Sequence, residues 1–276
     1  MRNVIVFILI CLGFSSSIAQ TILKGAIIDK EGNKPIEFAS IGVLNKPIGT
    51  VANADGDFEF KLTLDILDHD TIRFSSIGYL SMDFLVGDLR KLNDAGSLKI
   101  NLKKLVTELN TVSINAKHAQ LKILGYPTNS KLFGLAFGGN GYGAEGGIKL
   151  TIKHANTNIE SLNLMVIQNS FDHLGFRVNI YEMQNGQPGK NLLTQNIFFN
   201  IDNKQSGKIT FDLTPYNIYL NSDALLALEW IEAKPTTIGR FDVAALLFGS
   251  SYYRAASQAL WLKKGAGIGI GVKSNY

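Results

Sequence analysis

The sequence predicts an all-β protein made of two successive β-sandwiches, and three observations carry that prediction. Short runs of alternating apolar and polar residues recur along the chain, as in Phe58–Lys61, Leu98–Lys103 and Ile148–Lys153. Clusters of Gly, Asn, Asp and Pro bound these runs. No run shows a sustained helical period. Alternation at period two buries one face of a strand and solvates the other, and turn residues at short intervals mark a sandwich rather than helical packing.

The chain opens on a pattern separate from this fold. Arg2 supplies a positive start, Val4–Phe14 an apolar stretch, and Ser17-Ile18-Ala19 a small-x-small cleavage site. Residues 1–19 therefore read as a secretory signal peptide, with Gln20 as the mature N-terminus. The apolar stretch is too short to span a bilayer, which needs about 20 residues, and no later run reads as a transmembrane helix. The single cysteine, Cys11, falls inside the apolar stretch without a lipoprotein-like cleavage sequence. The mature chain then lacks a thiol, which excludes disulfides, cysteine-ligated zinc and cysteine nucleophiles. With 27 Lys+Arg against 23 Asp+Glu, the charge excess is small. The basic residues are scattered, and export further disfavours nucleic acid as a partner.

Residues 20–117 read as a seven-stranded Greek-key sandwich. Thr21–Asp29 is the first strand and Lys30–Asn33 a turn. Ala39, Ile41 and Val43 share one parity. Asn53–Gly56 turns the chain into the strand of Phe58, Phe60 and Leu62. Ile72 with Phe74, Leu98 with Ile100 and Leu102, and Val112 with Ile114 bring the strands assigned by alternation to six of about seven. The stretch from Asp83 to Gly96 is less regular and reads as a loop. Residues 118–130 read as a linker, with one or two helical turns over His118–Leu124 and a break at Gly125–Asn129.

Residues 131–276 read as a jelly-roll-like sandwich. Leu162, Leu164 and Val166 alternate with polar neighbours. So do Phe176, Val178 and Ile180 against Arg177, Asn179 and Tyr181, and Leu226, Leu228 and Trp230 share one face. Gln184–Gly189 is a strong turn. On this reading Glu229 faces outward, Glu232 lies near a strand end, and no polar cluster remains inside.

The segment KGAIIDKEGNKPIEFASIGVLNKPIGTVANADGDFEF at residues 24–60, then IRFSSIGYLSM at 72–82 and LVTELNTVSINAK at 105–117, resembles the carboxypeptidase-regulatory-like domain. That resemblance implies a transthyretin-like sandwich, common in envelope proteins of Bacteroidetes. It is an accessory unit beside peptidase catalytic domains elsewhere and a structural or binding module in its own right. The same domain begins outer-membrane nutrient receptors, but residues 118–276 are too few for a plug and barrel. FRVNIYEMQNGQPGKNLLTQNI and LTPYNIYLNSDALLALEWIE resemble C-terminal β-domains of exported Bacteroidetes proteins, which implies a compartment and a fold more than a reaction.

Motifs that could carry chemistry are thin. Gly141-Tyr-Gly-Ala-Glu-Gly146 has G-x-G-x-x-G spacing, but a strand pattern follows where a dinucleotide site needs a helix N-terminus. Asp55 and Asp57 beside Asn53 read as a hairpin turn, with calcium binding as the alternative. Asp65, Asp68 and Asp70 around His69 read as a solvated loop. His69, His118, His154 and His173 show no metal-ligand spacing, and His173 beside Asp172 lacks a nucleophile. Glu229 and Glu232, three apart on a strand, point to opposite faces rather than across one sugar. Trp261, Tyr216 and Tyr219 are the candidate sugar-stacking residues, Trp261 being the most exposed by its pattern. The glycine alternation of Ala266–Val272 and the terminal Tyr276 leave an outer-membrane barrel as an alternative.

The expected function is therefore an exported, non-enzymatic binding or structural protein of the periplasm or cell surface. Its ligand is a glycan or another envelope protein, no cofactor is expected, and calcium is the one alternative. A secreted hydrolase acting on glycans or peptides, and an accessory subunit of an outer-membrane nutrient-uptake system, are the competing readings.

Overall fold

The computed structural model describes residues 21–105, 120–137, 141–235 and 239–276. The expected signal peptide, the expected strand at Val112–Ile114, and His118 lie outside these residues.

The first unit holds β1 (Ile22–Asp29), β2 (Ser40–Val43), β3 (Gly49–Val51), β4 (Asp57–Lys61), β5 (Thr71–Ser75), β6 (Met82–Leu85), α1 (Val86–Asp94) and β7 (Leu98–Leu102). They form two sheets, ordered β4-β1-β7 and β3-β2-β5-β6. β1 is antiparallel to β4 and parallel to β7. The alternation read in the sequence gives the core directly. Phe58, Phe60, Leu98, Ile100 and Leu102 face Ile41, Val43, Ile72 and Phe74 across the sandwich, while Asp57, Glu59, Lys99 and Asn101 stay exposed. The seven described strands differ in membership from those expected, because β3 lies at residues where the alternation predicts no strand and β6 enters the stretch that reads as a loop. The irregular stretch after Asp83 is β6 running into α1. Val86 and Leu89, one turn apart, bury against the core. Asp88 sits in the first turn and Lys91 in the last, the favourable sense of the helix dipole. A nine-residue helix with only two buried residues leaves little period in the sequence.

Asp29 ties this unit together at one end. Its Oδ1 accepts the backbone N–H groups of Glu31 and Gly32 at 2.8 and 3.0 Å. Its Oδ2 accepts the Tyr79 hydroxyl at 3.3 Å and faces Lys104 Nζ at 3.0 Å. These bonds hold the Asp29 carboxyl well below its ordinary value, with the two backbone donors as the main cause.

The second unit begins with β8 (Leu121–Gly125), which pairs with β22 (Ile270–Asn275) and is a strand of the second sandwich. The expected helical turns are thus absent at residues 121–125, and that part of the expected linker belongs to the sheet. β9 (Gly134–Ala136), β10 (Glu145–Leu150), β11 (Thr157–Asn169), β12 (His173–Gln184), β13 (Gln187–Asn191), β14 (Ile197–Asp202), β15 (Gly207–Asp212) and β16 (Ile218–Leu220) follow. After them come β17 (Ala224–Lys234), β18 (Phe241–Leu246), β19 (Ser251–Arg254), β20 (Leu262–Lys264) and β21 (Gly267–Ile268). A seven-stranded sheet runs β13-β12-β17-β10-β19-β20, with β14 also on β12. An eight-stranded sheet runs β21-β18-β11-β22-β8, with β15 and β16 on β11 and β9 on β18. The core between them centres on Phe176, 5.3–5.8 Å ring to ring from Phe199, Phe241, Trp230 and Phe137. Fully burying such a side chain contributes about 1.5–3 kcal/mol.

The four sheets stack in layers. The face of β2 and β5 that points away from the first core carries Ser40, Gly42, Arg73 and Ser75, and it lies on the outer face of the seven-stranded sheet. Gly42 makes that approach possible, since a Cβ there would stand 1.9 Å from the Ser257 carbonyl oxygen.

Candidate functional site

The site grows from strands whose two faces are both buried. On β12, Phe176, Val178 and Ile180 enter the second core, and Arg177, Asn179 and Tyr181 point the other way. On β17, Leu226, Leu228 and Trp230 enter the core, opposite Leu225, Ala227 and Glu229. Period two assigned the second set of each strand to solvent. The structure buries it: Arg177 is 2% exposed, Glu229 1% and Glu145, on β10, 1%. The expectation that Glu229 faces outward is corrected here, as is the expectation that no polar cluster remains. The reason is tertiary: the first unit covers this face at Arg177 and Glu229, and Arg254 under Trp261 covers it at Glu145.

Pairing register turns these side chains into a row. Arg177 lies opposite Glu229, Glu229 opposite Glu145, and Glu145 opposite Arg254 on β19. The row reads positive, negative, negative, positive across four strands. Like charges directly opposite destabilise a sheet, so each carboxylate needs its own cation. Glu229 accepts Arg177 Nε at 2.8 Å and Nη2 at 2.6 Å, Asn179 Nδ2 at 3.0 Å, and the hydroxyls of Ser40 and Ser257 at 3.2 Å each. Glu145 accepts Arg254 Nε at 2.8 Å and Nη2, the Tyr181 hydroxyl at 3.0 Å, and Asn179 Nδ2 at 3.2 Å. Asn179 thus bridges the two carboxylates.

The two acids diverge. Burial pushes Glu145 up, and the neighbouring Glu229 charge adds to this against the pull of Arg254. Burial acts on Glu229 in the same sense, but Arg177 and Arg254 together outweigh it and hold that carboxyl below its ordinary value. Burial likewise raises the Tyr181 hydroxyl, so it stays a neutral donor.

The row also fastens the two sandwiches together. Arg177 Nη1 donates to the Phe38 carbonyl at 2.8 Å, and Nη2 donates to Ser40 Oγ at 2.5 Å. Asn45 N–H donates to the Gln258 carbonyl at 3.0 Å, and Gln258 Nε2 to Ser75 Oγ at 3.1 Å. Phe38 and Phe198 meet edge to face at 5.3 Å.

Beside this junction opens a cleft of about 520 Å³. Ser75, Ser76 and Tyr79 of the first unit form one wall. Lys190, Asn191 and Thr194 form the other, on the β12–β13 hairpin and the chain after it, and Arg177, Asn179 and Glu229 lie at its base. The hairpin turns at Asn185 and Gly186, both at positive φ, as a two-residue Asn-Gly loop requires. Asn191 Nδ2 donates to Asn179 Oδ1 at 2.9 Å and so fixes the hairpin to the charged row. Lys190 makes no ion pair among the described residues.

The residues singled out from sequence are not brought together. Trp261 is half-buried, packs on Tyr181 at 5.5 Å, and has the Arg254 guanidinium 4.7 Å from its ring centre. A ring face expected to take sugar is therefore held by an arginine. Tyr216 packs on the second core beside Phe211, and Tyr219 lies on β16 in the other sheet. Asp55 and Asp57 donate their backbone N–H groups to Asn53 Oδ1, both at 2.9 Å, which is a turn stabilised by a side chain. No group of three or more metal-ligating side chains occurs among the described residues. Asp70 pairs with Lys46, and Asp68 with Arg90. His173 Nδ1 bonds Asp202 at 2.6 Å and its Nε2 lies 3.4 Å from Glu232, while Asp172 pairs with Lys204.

The glycine motif enters β10 rather than a helix, as expected. A Cβ at Gly143 would meet Ser257 Oγ at 2.4 Å, and one at Gly147 the Leu226 carbonyl at 2.4 Å. Along β21 and β22 a Cβ at Gly269 would meet the Ala244 carbonyl at 2.5 Å, so this alternation serves close packing between strands. Tyr276 stacks on His154 at 4.0 Å.

Residues 23–114 match the family model described as the CarboxypepD_reg-like domain. The first sandwich is a carboxypeptidase-regulatory-like domain. Its Gly32 turn and its Tyr79 are the parts gathered by Asp29, and Ser40 and Gly42 of the same domain form the surface that meets the second sandwich. No curated protein matches the chain. Among solved structures, infectious bursal disease virus of the Gt strain is 8% identical, with 92% of this chain and 63% of that chain covered at a TM-score of 0.27. The Gx strain structure is 9% identical, with 92% and 62% covered at a TM-score of 0.28. The chain thus spans less than two thirds of those viral chains, and scores this low relate neither fold nor function.

Proposed function

We propose that the protein is an exported, non-catalytic binding protein of the cell envelope, and that its ligand is a glycan held in the cleft between the two sandwiches. The cleft carries this reading. Its walls present hydroxyl, amide and ammonium groups from both units, and Tyr79 adds an aromatic surface. Polar groups converging on a rigid concavity are the usual form of a small-ligand site, and hydrogen bonds among Arg177, Glu229 and Asn179 make the base rigid. The Arg2, Val4–Phe14 and Ser17–Ala19 pattern supports export. Saturation of both carboxylates by arginines supports binding over catalysis, since neither is free to meet a substrate.

The test is a glycan array followed by titration with the full mature chain. Saturable binding that Thr194→Trp abolishes, at unchanged melting temperature, supports the proposal. The absence of any saturable glycan, or binding indifferent to Thr194→Trp, overturns it. One observation favours a hydrolase as the second reading: Glu145 and Glu229 are neighbouring carboxyls with opposite shifts, a pattern that elsewhere separates acid from base. Turnover of a glycan or peptide by the purified protein, lost in Glu145→Gln, would establish it.

A further inference from the structure

A second cavity lies away from the cleft. A slot of about 340 Å³ opens between β9 of the eight-stranded sheet and β10 and β19 of the seven-stranded sheet. Leu135, Phe137, Ala144, Ile268 and the half-buried Tyr253 line it. A Cβ at Gly146 would stand 2.8 Å from Phe137 Cε2 and 3.1 Å from Ile268 Cδ1, so that wall has no room for a side chain. Its volume falls within the roughly 300–1,000 Å³ of small-molecule sites.

One unpaired ammonium stands at the rim. Lys264 borders the slot, is exposed, and has no ion pair among the described residues. Asp242, opposite the lining Ala136, is paired with Arg240. Glu145 borders the slot too, but Arg254 and Tyr181 hold its carboxylate on the opposite face of the sheet. The same end is apolar on the outside. Leu246 pairs with Gly267, and Ala245 N–H bonds the Phe133 carbonyl. These contacts set Leu247, Phe248 and Leu132 beside the turn of Gly265 and Ala266, at 61, 94 and 97% exposure.

From an apolar slot and an unpaired ammonium at its rim, we infer that the open end of the second sandwich binds a single-chain amphiphile with an anionic head, of the fatty-acid class. The chain enters between the sheets, and the head stays at Lys264. The exposed Leu and Phe side chains suit approach to a lipid surface, where such ligands partition. A free fatty acid and an acyl chain of a membrane lipid share this chemistry.

Calorimetric titration of the full mature chain with dodecanoate tests the site, with anionic phosphatidylglycerol vesicles as a separate arm. Saturable one-to-one uptake of dodecanoate is expected. Lys264→Glu should weaken it by about two- to fivefold, the scale of losing one exposed ion pair. Ala266→Trp should abolish it by filling the mouth, with melting temperatures unchanged in both variants. Dodecanol should bind more weakly and be indifferent to Lys264→Glu. Uptake from vesicles that Ala266→Trp also blocks identifies a membrane lipid as the source. No saturable dodecanoate binding, binding unaffected by both variants, or vesicle binding that persists in Ala266→Trp overturns the inference. Thr194→Trp, which fills the other cleft, should leave dodecanoate binding intact, so the two proposals fail separately.

Discussion

Replacing Glu229 with glutamine tests the buried charged row most directly. The substitution keeps the shape of the side chain and removes one negative charge. Arg177, whose side chain is 3% exposed, would then be a buried guanidinium without its counter-ion. Two charge-assisted bonds, at 2.6 and 2.8 Å, become donor facing donor or weak neutral contacts. Breaking one side of a buried pair costs about 3–5 kcal/mol, whereas a surface pair is worth about 0–1 kcal/mol. For a chain of this size each kcal/mol moves the melting temperature by about 2–4 °C, so Glu229→Gln should lower it by about 6–20 °C in scanning calorimetry. The double variant Arg177→Met with Glu229→Leu removes both charges and fills the space with apolar groups, and it should recover most of the loss. A shift of under about 4 °C for Glu229→Gln, the size expected of a surface pair, would refute the reasoning. So would a double variant no more stable than the single one.

Other outcomes follow from the same geometry. Gly42→Val places a branched side chain where Ser257 already lies, and the two sandwiches should part; small-angle scattering should show a larger radius of gyration and proteolysis a newly cut junction, while an unchanged radius would count against the close approach. Asp29 has a folded-state value below its ordinary 3.8, so its contribution is present above that pH and lost as pH falls toward the folded value. Asp29→Asn should therefore lower the melting temperature near neutrality and converge with the parent in acid; a difference constant with pH would contradict the assignment. Trp261→Ala removes the ring under Arg254 and should cost about 0.5–2 kcal/mol without affecting glycan binding, and a loss of glycan binding would return Trp261 to the ligand site.

The first core and the inward faces of β10, β11, β12 and β17 were legible in the sequence because alternation reports burial on one face. The outward faces were misread for the same reason. Arg177, Asn179 and Tyr181 look solvated when the only partner considered is the sheet behind them, and nothing local to β12 reports a second layer in front. One signal was present. Ser40 with Gly42 on β2, and Gly143 and Gly147 around β10, put small residues where sheets or loops approach closely. The row itself depends on register across four strands separated by up to 109 residues, as Glu145 and Arg254 are, and no spacing in the chain encodes that pairing. Helix α1 was hidden by brevity, and β8 by the glycine that ends it and the proline that follows.

A sheet with a free outer face can exchange its neighbour, and a two-module chain can then be cut and rejoined by recombination. Here Arg177 of β12 and Glu229 of β17 have no water to return to while the first module is docked, and they lose Ser40 and the Phe38 carbonyl once it is gone. The regulatory-like domain is thus part of the solvent shell that the second module was built to have. Residues 120–276 expressed alone would have to hydrate the Arg177–Glu229 pair that Ser40 and the Phe38 carbonyl now cover.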